Sequence, residues 1–406
     1  MITIRLKTAS CLCITFIFMA CMGKKTSSDT STSIVENKKD IALIPSIDIT
    51  KEYPKRDFNI QEIADIEYIP LETTNEVLLE GGALSNVAIS KEFIVTCNLR
   101  AGTMFVFSRS GKICHHFNHK GDGKYEYQSL SKFCVDFDSN EIYIWDHLLN
   151  YKILVYSFNG DFKRILKVNA KIWPEILMNY DDQSLLCYDT YNLDYEGEKT
   201  KLNDRPYALI SKKTGKVYPL NLIIKNRIGN SLHSQQYGSS SVDIYSILKG
   251  SEEIILSDFA LDTVYSFKNE TLHPIAIHNR KIKEDDTFSL VSILMKTNEF
   301  IFWDIIEKKI VNHQLTPKRK ILLQSCSTGE VWQPLFYNLD YAPKQRIRIP
   351  DAYMADLPEN YARRSLSPEM LTELYQKGEL TGKLKEAASK LKADDNPVLM
   401  LAKFKE

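Results

Sequence analysis

The feature that most constrains the fold of this chain is a short apolar run closed by an aspartate or asparagine, which recurs five times. The steps between successive closing residues are 48, 43, 69 and 46 positions. A period of about 40–50 residues in an all-β pattern is typical of a β-propeller, in which each repeat forms one sheet around a central channel. The five runs are Phe93–Asn98, Ile142–Asp146, Leu185–Asp189, Ile254–Asp258 and Phe300–Asp304.

Four short strands can be placed in each of the first two repeats, with a turn signal before the fourth strand. The turns are Ser110–Gly111 and Asn159–Gly160, and Asn-Gly favours a tight hairpin because both residues tolerate a positive φ. The third repeat carries a polar insertion at residues 190–205. The five repeats span about 82–127, 128–168, 173–225, 240–278 and 287–336.

Two strand-like segments lie outside the five repeats, one near each end of the chain. Residues 63–72 alternate between apolar and polar side chains, and residues 396–405 form a final apolar run. A ring of sheets must close, and pairing the first strand with the last removes exposed edges. We therefore predict an all-β fold, a six-bladed β-propeller closed by its N- and C-terminal strands. A short helical insertion is predicted at about 367–393, where Ser367 can cap a helix that begins at Pro368.

Composition supports one large folded domain and gives no sign of nucleic-acid binding. The chain has 406 residues, 44% of them hydrophobic, which is enough for a large core. Lysine plus arginine and aspartate plus glutamate both number 52, so the formal net charge is zero. An electrostatic nucleic-acid binder needs a basic excess, and we expect no nucleic-acid partner.

The N-terminus has the pattern of a targeting segment. Arg5 and Lys7 precede an apolar stretch at residues 11–20 that is too short to span a membrane. This stretch ends in Phe-Met-Ala followed by Cys21, which resembles a bacterial lipobox. The resemblance implies a signal peptide at 1–20, lipidation of Cys21 and attachment to the outer membrane, facing either the periplasm or the exterior. The alternatives are an ordinary secretory signal cut nearby and a membrane-anchored N-terminus.

Residues 21–58 read as a lipid-anchored flexible tether, which leaves 59–406 as the propeller domain. The first part of this segment is polar and poor in apolar residues. Five of the eight cysteines lie in the body of the chain, and their spacing gives neither a disulfide framework nor a zinc site. One disulfide can still form in an oxidising compartment. Three of the five, Cys97, Cys134 and Cys187, lie in apolar runs, where a thiol acts as a small hydrophobe.

Several motifs together resemble a family of six-bladed β-propeller proteins of Gram-negative bacteria. Its members are mostly predicted lipoproteins and are distantly like NHL-repeat propellers. The family loop usually reads Gly-x-Gly-Pro-Gly-Glu-Tyr, and here Lys124 and Tyr125 stand where it has Pro and Gly. The resemblance covers about residues 60–405 and implies the fold, but no reaction. The matching stretches are Ile66–Thr74, Gly121–Tyr127, Tyr156–Gly160 and Asp395–Leu401.

Two sets of residues are candidates for a binding role. The five closing residues could converge on one propeller face and bind a cation or sugar hydroxyls, but Asp and Asn more often cap the backbone of the turn after a strand. His119, Asp122 and Tyr125 lie in or beside the glycine-rich loop and are the candidate ligand-binding residues. His119 and Asp122 alone are too few to hold a metal, so we expect no metal and no cofactor.

No catalytic constellation is visible. The histidines lack HExxH spacing, and no Gly-x-Ser-x-Gly elbow occurs. Trp145 and Trp303 precede the closing acid in equivalent repeats and are interpreted as packing residues rather than sugar platforms. Two hypotheses follow: an envelope-anchored binding or scaffold module for a glycan, peptide or protein, or an NHL-like propeller enzyme such as a metal-dependent lyase or hydrolase.

Overall fold

The chain forms a six-bladed β-propeller, as the repeat period predicts. The structure is a computed structural model. The predicted signal peptide, Cys21 and most of the predicted tether lie outside the residues it describes. The described residues are 44–148, 151–190, 202, 204–228, 231–234, 238–243, 245–250, 253–279, 289–311, 313–350 and 355–405.

The N-terminal segment follows the rim of three consecutive blades. β1 (Ser46–Asp48) pairs in parallel with the outer strand of blade 4, and β2 (Lys55–Asn59) with that of blade 5. Helix α1 (Ile60–Ile63) then leads into β3 (Ala64–Pro70), which joins blade 6. The prediction placed a flexible tether at 21–58; the structure instead attaches this segment to the propeller from residue 44 onward. The reason is that β1 and β2 cover two exposed sheet edges and bury Ile47 and Phe58.

Blades 1 to 3 each contain four antiparallel strands, in chain order from the channel to the rim. A 3-10 turn at Ala83–Ser85 precedes blade 1, and a separate hairpin of β16 (Ser231–Ser234) and β17 (Gly238–Ser241) follows blade 3. Blade 1 is β4 (Val87–Ile89), β5 (Phe93–Asn98), β6 (Thr103–Ser108) and β7 (Ile113–Asn118). Blade 2 is β8 (Lys132–Asp136), β9 (Glu141–Asp146), β10 (Lys152–Ser157) and β11 (Phe162–Lys167). Blade 3 is β12 (Pro174–Asn179), β13 (Ser184–Asp189), β14 (Tyr207–Ser211) and β15 (Val217–Pro219).

Blades 4 and 5 repeat this order, but the middle strands of blade 5 are twice as long as those of blade 2. Blade 4 is β18 (Ile247–Lys249), β19 (Ile254–Leu256), β20 (Thr263–Lys268) and β21 (Thr271–Asn279). Blade 5 is β22 (Ser289–Lys296), β23 (Phe300–Val311), β24 (Gln314–Ser325) and β25 (Val331–Asn338). Two short strands follow: β26 (Gln345–Ile347) pairs with β25, and β27 (Ala355–Asp356) pairs with β4 on its channel side.

Blade 6 closes the ring with strands from both ends of the chain, as predicted. It contains β28 (Tyr361–Leu366), β29 (Val398–Phe404) and β3, and Leu399 lies opposite Ile69. Helices α2 (Pro368–Gln376) and α3 (Gly382–Ala388) form the predicted insertion, and the Ser367 side chain caps α2. No described helix is long and apolar enough to cross a membrane.

One buried side chain ties the closing strands to the rest of the ring. Asn396, from the motif before β29, is 2% exposed. Its amide group donates to the carbonyls of Glu72 and Val77, both at 2.8 Å, and its carbonyl accepts from the N–H of Leu79. A buried amide with its donors and its acceptor all bonded is stabilising, which gives this part of the motif a structural role.

The hydrophobic core is divided into six layers, one between each pair of neighbouring blades. Cys97, Cys134 and Cys187 lie fully buried in these layers, and burial raises the pKa of each thiol. Trp145 and Trp303 are also buried there, which confirms the interpretation as packing residues. The five described body cysteines are all free.

The two faces of the ring differ in the length of their loops. The lower face carries the turns between strands one and two and between strands three and four, which span two to five residues in blades 1 to 5. The upper face carries the second-to-third strand connections and the crossings between blades. Its longer connections include 119–131 and the described parts of 190–206, 220–246 and 339–360. Binding residues concentrate on elaborated loops held by a rigid scaffold, so the upper face is where a site is expected.

Glycine is required at the lower-face turn of blade 2. Gly160 has a φ of +90°, and a Cβ there would lie 2.8 Å from the side chain of Phe117 in blade 1. The predicted Asn-Gly turn therefore also allows two blades to pack closely.

Candidate functional site

The closing residues of the first four apolar runs are structural caps. Asp146 is fully buried, and its Oδ2 accepts the backbone N–H groups of Gln128 and Ser129 at 2.6 and 3.2 Å. Its Oδ1 accepts the N–H of Leu148 at 2.9 Å. The carboxylate thus holds both the segment that leads into β8 and the turn that follows β9. Backbone N–H groups also bond to the side chains of Asn98, Asp189 and Asp258.

The fifth closing residue, Asp304, is used differently. It is fully buried, and its Oδ1 lies 3.0 Å from Nε of Arg319. Burial raises the pKa of Asp304 from its ordinary 3.8 to about 6, although the attraction of Arg319 and Arg348 opposes this shift. The acid that caps the backbone in blade 2 therefore holds a cation in blade 5.

Each of the three predicted residues in or beside the glycine-rich loop has contacts of its own in the structure. The Nε2 atom of His119 lies 2.8 Å from the carbonyl oxygen of Gly160, and the ring stacks on Tyr156 with centroids 5.2 Å apart. Asp122 accepts a hydrogen bond from Gln128 at 3.0 Å. Tyr125 is 48% exposed and packs against Phe162. Each side chain has its own neighbour, and a shared ligand site for the three stays a prediction.

The same loop explains part of the family motif in physical terms. Glu126 accepts the backbone N–H of Gly123 at 2.8 Å, and Tyr127 donates its hydroxyl to the carbonyl of Gly102 at 2.5 Å. A Cβ at Gly121 would overlap the Glu126 carboxylate. Glu126, Tyr127 and Gly121 thus build the turn. Across the described parts of the chain, no three His, Cys, Asp or Glu side chains are grouped to hold a metal.

A deep cleft opens in the upper half of blade 5. β24 pairs with β23 at all twelve of its positions but with β25 only at Leu323 and Gln324. Above that point β25 pairs with β26 instead, so β24 and β25 separate. We call the resulting space the blade 5 cleft; it has a volume of about 880 Å³. Its lining residues are Glu52, Lys55, Glu307, 318–321, 333–336, 346–349 and Arg364.

The blade 5 cleft is strongly cationic. Seven lysine and arginine side chains line it, against two glutamates. Two cations have partners in the described residues: Arg319 pairs with Asp304, and Lys320 lies 3.7 Å from Glu52, whose side chain is 88% exposed. Ion pairs with exposed groups are weak. The other five cations have no described carboxylate within 4 Å, and they are Lys55, Lys318, Arg346, Arg348 and Arg364.

A second pocket, beside β27 in the central channel, is much smaller, and charged side chains in and beside its lining form ion pairs. β27 lies on the channel side of β4, and the space beside it is about 80 Å³. Asp356 forms an ion pair with Lys249, and Lys132 lies 3.2 Å from Glu175. Matched pairs give little attraction for a charged ligand, so the blade 5 cleft is the stronger candidate site.

Sequence reasoning did not find this cleft. The fifth repeat is least regular around residue 320, where the cationic half of β24 lies. One available signal is the run Lys318–Lys320, and another is the alternation of Arg346 and Arg348 with buried Ile347 and Ile349. Each looks like an exposed strand face when taken alone, and only the separation of β24 from β25 brings them together.

A solved structure similar to this chain supports the propeller fold. A proposed exported protein from Bacteroides fragilis matches with a TM-score of 0.60 at 15% identity, covering 89% of this chain and 100% of its own. At this identity the likeness shows the fold alone. A DUF4221 member from Bacteroides vulgatus matches with a TM-score of 0.42 at 11% identity, covering 84% and 97%. A search of curated protein sequences returned no match.

The family comparison covers almost the whole propeller. Residues 44–403 match the family described as a domain of unknown function, DUF4934. The match begins at the first described strands on the rim and ends within the closing strand β29. It therefore includes both ends of the ring, and this chain belongs to the DUF4934 family.

Proposed function

We propose that this protein is a binding module held at the cell envelope, which recognises a glycan, peptide or protein partner in the blade 5 cleft. The single observation that carries the proposal is the cleft itself: about 880 Å³, open on the elaborated face and lined by seven cations. A space of this size can take a segment of a polymer. The propeller fold is compatible with a binding or scaffold role.

The envelope location is supported by two independent points. The sequence predicts a signal peptide and a lipidated Cys21, and a protein of the same fold is described as exported. Two or more acyl chains on Cys21 would give a stable anchor. Residues 22–43 would then separate the propeller from the membrane. Metabolic labelling with palmitate tests the anchor, and Cys21→Ser should lose the label.

Binding is tested with the soluble fragment that begins at residue 41. The fragment is titrated against a panel of neutral, anionic and cationic glycans and peptides, with fluorescence anisotropy as the readout. We expect at least one anionic polymer to bind, and binding to weaken as ionic strength rises because exposed charges are screened. If no polymer binds, or if binding persists unchanged after the cleft cations are neutralised, the proposal is wrong.

A further inference from the structure

One wall of the blade 5 cleft is a strand edge without a paired neighbour among the described residues. In blade 2, β10 pairs with β11 at five positions, whereas β24 pairs with β25 at only two. In the described residues, the upper part of β24 therefore has a pairing partner on its β23 side alone. Pro317 has no N–H, so the edge that can bind an extended peptide as an added strand lies at residues 318–321, which line the cleft.

The cations of the cleft are spaced to match such a strand. Lys318 and Lys320 are two residues apart on β24, so both point to the same side of the strand. Arg346 and Arg348 are exposed, while Ile347 and Ile349 between and after them are buried. Both walls thus present a cation at every second residue. In an extended peptide, acidic side chains at every second residue have the same period.

Arg364 adds a buried group without a partner. It lies on β28 of blade 6, lines the inner end of the cleft, and its Nη1 is shielded from solvent without a hydrogen-bond acceptor among the described residues. An unsatisfied buried donor is costly, and a carboxylate in the cleft would satisfy it. Arginine binds carboxylates with two parallel hydrogen bonds.

The lining favours a peptide over a sugar chain. Sugar recognition commonly uses exposed aromatic rings as stacking surfaces, but the one aromatic residue in the lining, Phe336, is 3% exposed. A free strand edge offers a peptide main-chain hydrogen bonds that a sugar chain cannot reproduce with the same spacing. These two features separate the two classes of anionic polymer.

We infer that the ligand of the blade 5 cleft is an acidic peptide segment, bound in an extended conformation as a strand beside β24. This inference rests on the proposed function and deepens it by naming the ligand class. The main chain of the peptide bonds to the β24 edge. Its alternate carboxylates face Lys318 and Lys320 on one wall or Arg346 and Arg348 on the other.

The test uses the fragment from residue 41 and capped octapeptides. The main probe alternates Glu and Thr. One control alternates Lys and Thr, and a second has the composition of the main probe arranged as Glu-Glu-Thr-Thr. The third control is the main probe with every second backbone nitrogen methylated. It is made in two versions, one methylated at the odd positions and one at the even positions. We expect the N-methylated peptide of the pairing register to bind about tenfold more weakly, because it loses its main-chain bonds. The Lys-Thr peptide should not bind.

A matched pair of variants locates the site. Lys318→Gln with Arg346→Gln removes two cleft cations, and Lys163→Gln with Lys213→Gln removes two exposed cations from blades 2 and 3. The first double variant should weaken the Glu-Thr peptide by about tenfold or more, and the second by less than about twofold. All four side chains are exposed, so thermal melting curves should match those of the unaltered fragment.

A parallel titration with a glycan distinguishes failure of the peptide inference from failure of the proposed function. An oligogalacturonate of eight sugars is titrated in parallel. If it binds and responds to the cleft variant while the Glu-Thr peptide does not, the peptide inference is overturned and the proposed function stands. Equal binding of the N-methylated and unmodified peptides also overturns it. If neither of these polymers nor any other member of the panel binds, both proposals fail.

Discussion

Blade 2 and blade 5 start from the same apolar run and use it for different purposes. In blade 2, β9 ends at Asp146, whose carboxylate accepts three backbone N–H groups. In blade 5, β23 continues seven residues beyond Asp304, and that carboxylate is paired with Arg319. The comparison shows that the closing acid caps backbone N–H groups where its strand ends. Where the strand continues past the acid, the carboxylate is available for another contact.

The extension of β23 and β24 has a second consequence. The longer β24 pairs with β25 only at Leu323 and Gln324. Closer to the upper face, β26 pairs with β25 in place of β24. The regular blade is fully paired, and the extended blade has a cleft. A cleft can therefore form in one blade while blade 2 keeps its regular pairing.

The largest expected effect is on the cap in blade 2. Asp146→Ala removes the acceptor of three N–H groups, two of which belong to the chain leading into β8. Each unsatisfied donor costs about 1–3 kcal/mol, so the free energy of unfolding should fall by about 4 kcal/mol. Urea denaturation of the fragment from residue 41 measures this. A loss below about 1 kcal/mol would show that water replaces the cap.

The next effect concerns Asp304 and pH. Because burial raises its pKa from 3.8 to about 6, the native state binds more protons than the unfolded state between these values. The Asp304 contribution to stability is thus present at low pH and declines as pH rises to about 6. Relative to Asp304→Asn, the stability of the unaltered fragment should fall by about 3 kcal/mol from pH 4 to pH 7. A difference that is constant across this range contradicts the burial.

A buried aspartate of blade 2 should show the opposite dependence. Burial alone would raise the pKa of Asp136, but hydrogen bonds from Lys212, at 2.7 Å, and Ser139 outweigh it and lower the pKa. Its contribution is present above the ordinary pKa and is lost as pH falls. Relative to Asp136→Asn, the fragment should lose stability as pH falls below 3.8, the ordinary pKa of an aspartate, and urea denaturation at a series of pH values measures this. If both aspartates gave the same sign, the contrast between the blades would be wrong.

The smallest effect is on thiol reactivity. Cys114 is exposed, whereas Cys97, Cys134 and Cys187 are buried between blades with raised pKa values. Iodoacetamide should therefore label Cys114 of the native fragment first and the three buried thiols only on unfolding. Mass spectrometry of tryptic peptides gives the order. Rapid labelling of Cys134 without denaturant would mean that the layer between blades 2 and 3 is open.

The ring was predictable because its signals are local and repeated. The period of the apolar runs predicts the number of sheets, and the unpaired strands at 63–72 and 396–405 predict the closure that Ile69 and Leu399 confirm. The rim strands were not predicted, because β1 has only three residues and reads as part of a polar tether.

The cleft was not predictable, because its cations come from separate stretches of the chain. Lys55, Lys318, Arg348 and Arg364 line one cleft because β24 separates from β25, and neither cationic stretch of the sequence predicts that separation. A net charge of zero for the whole chain conceals this local excess. The motif loop drew attention to His119 and Asp122, although Glu126 and Tyr127 show that at least part of its pattern serves the turn.

Hydrogen exchange tests most directly whether binding occurs in the blade 5 cleft. The fragment is compared alone and saturated with the tightest-binding polymer of the panel. The account predicts slower amide exchange in residues 314–322 and 345–349, and unchanged exchange in the regular strands of blade 2. Protection confined to the loop at 119–127, or to the central channel, would contradict it.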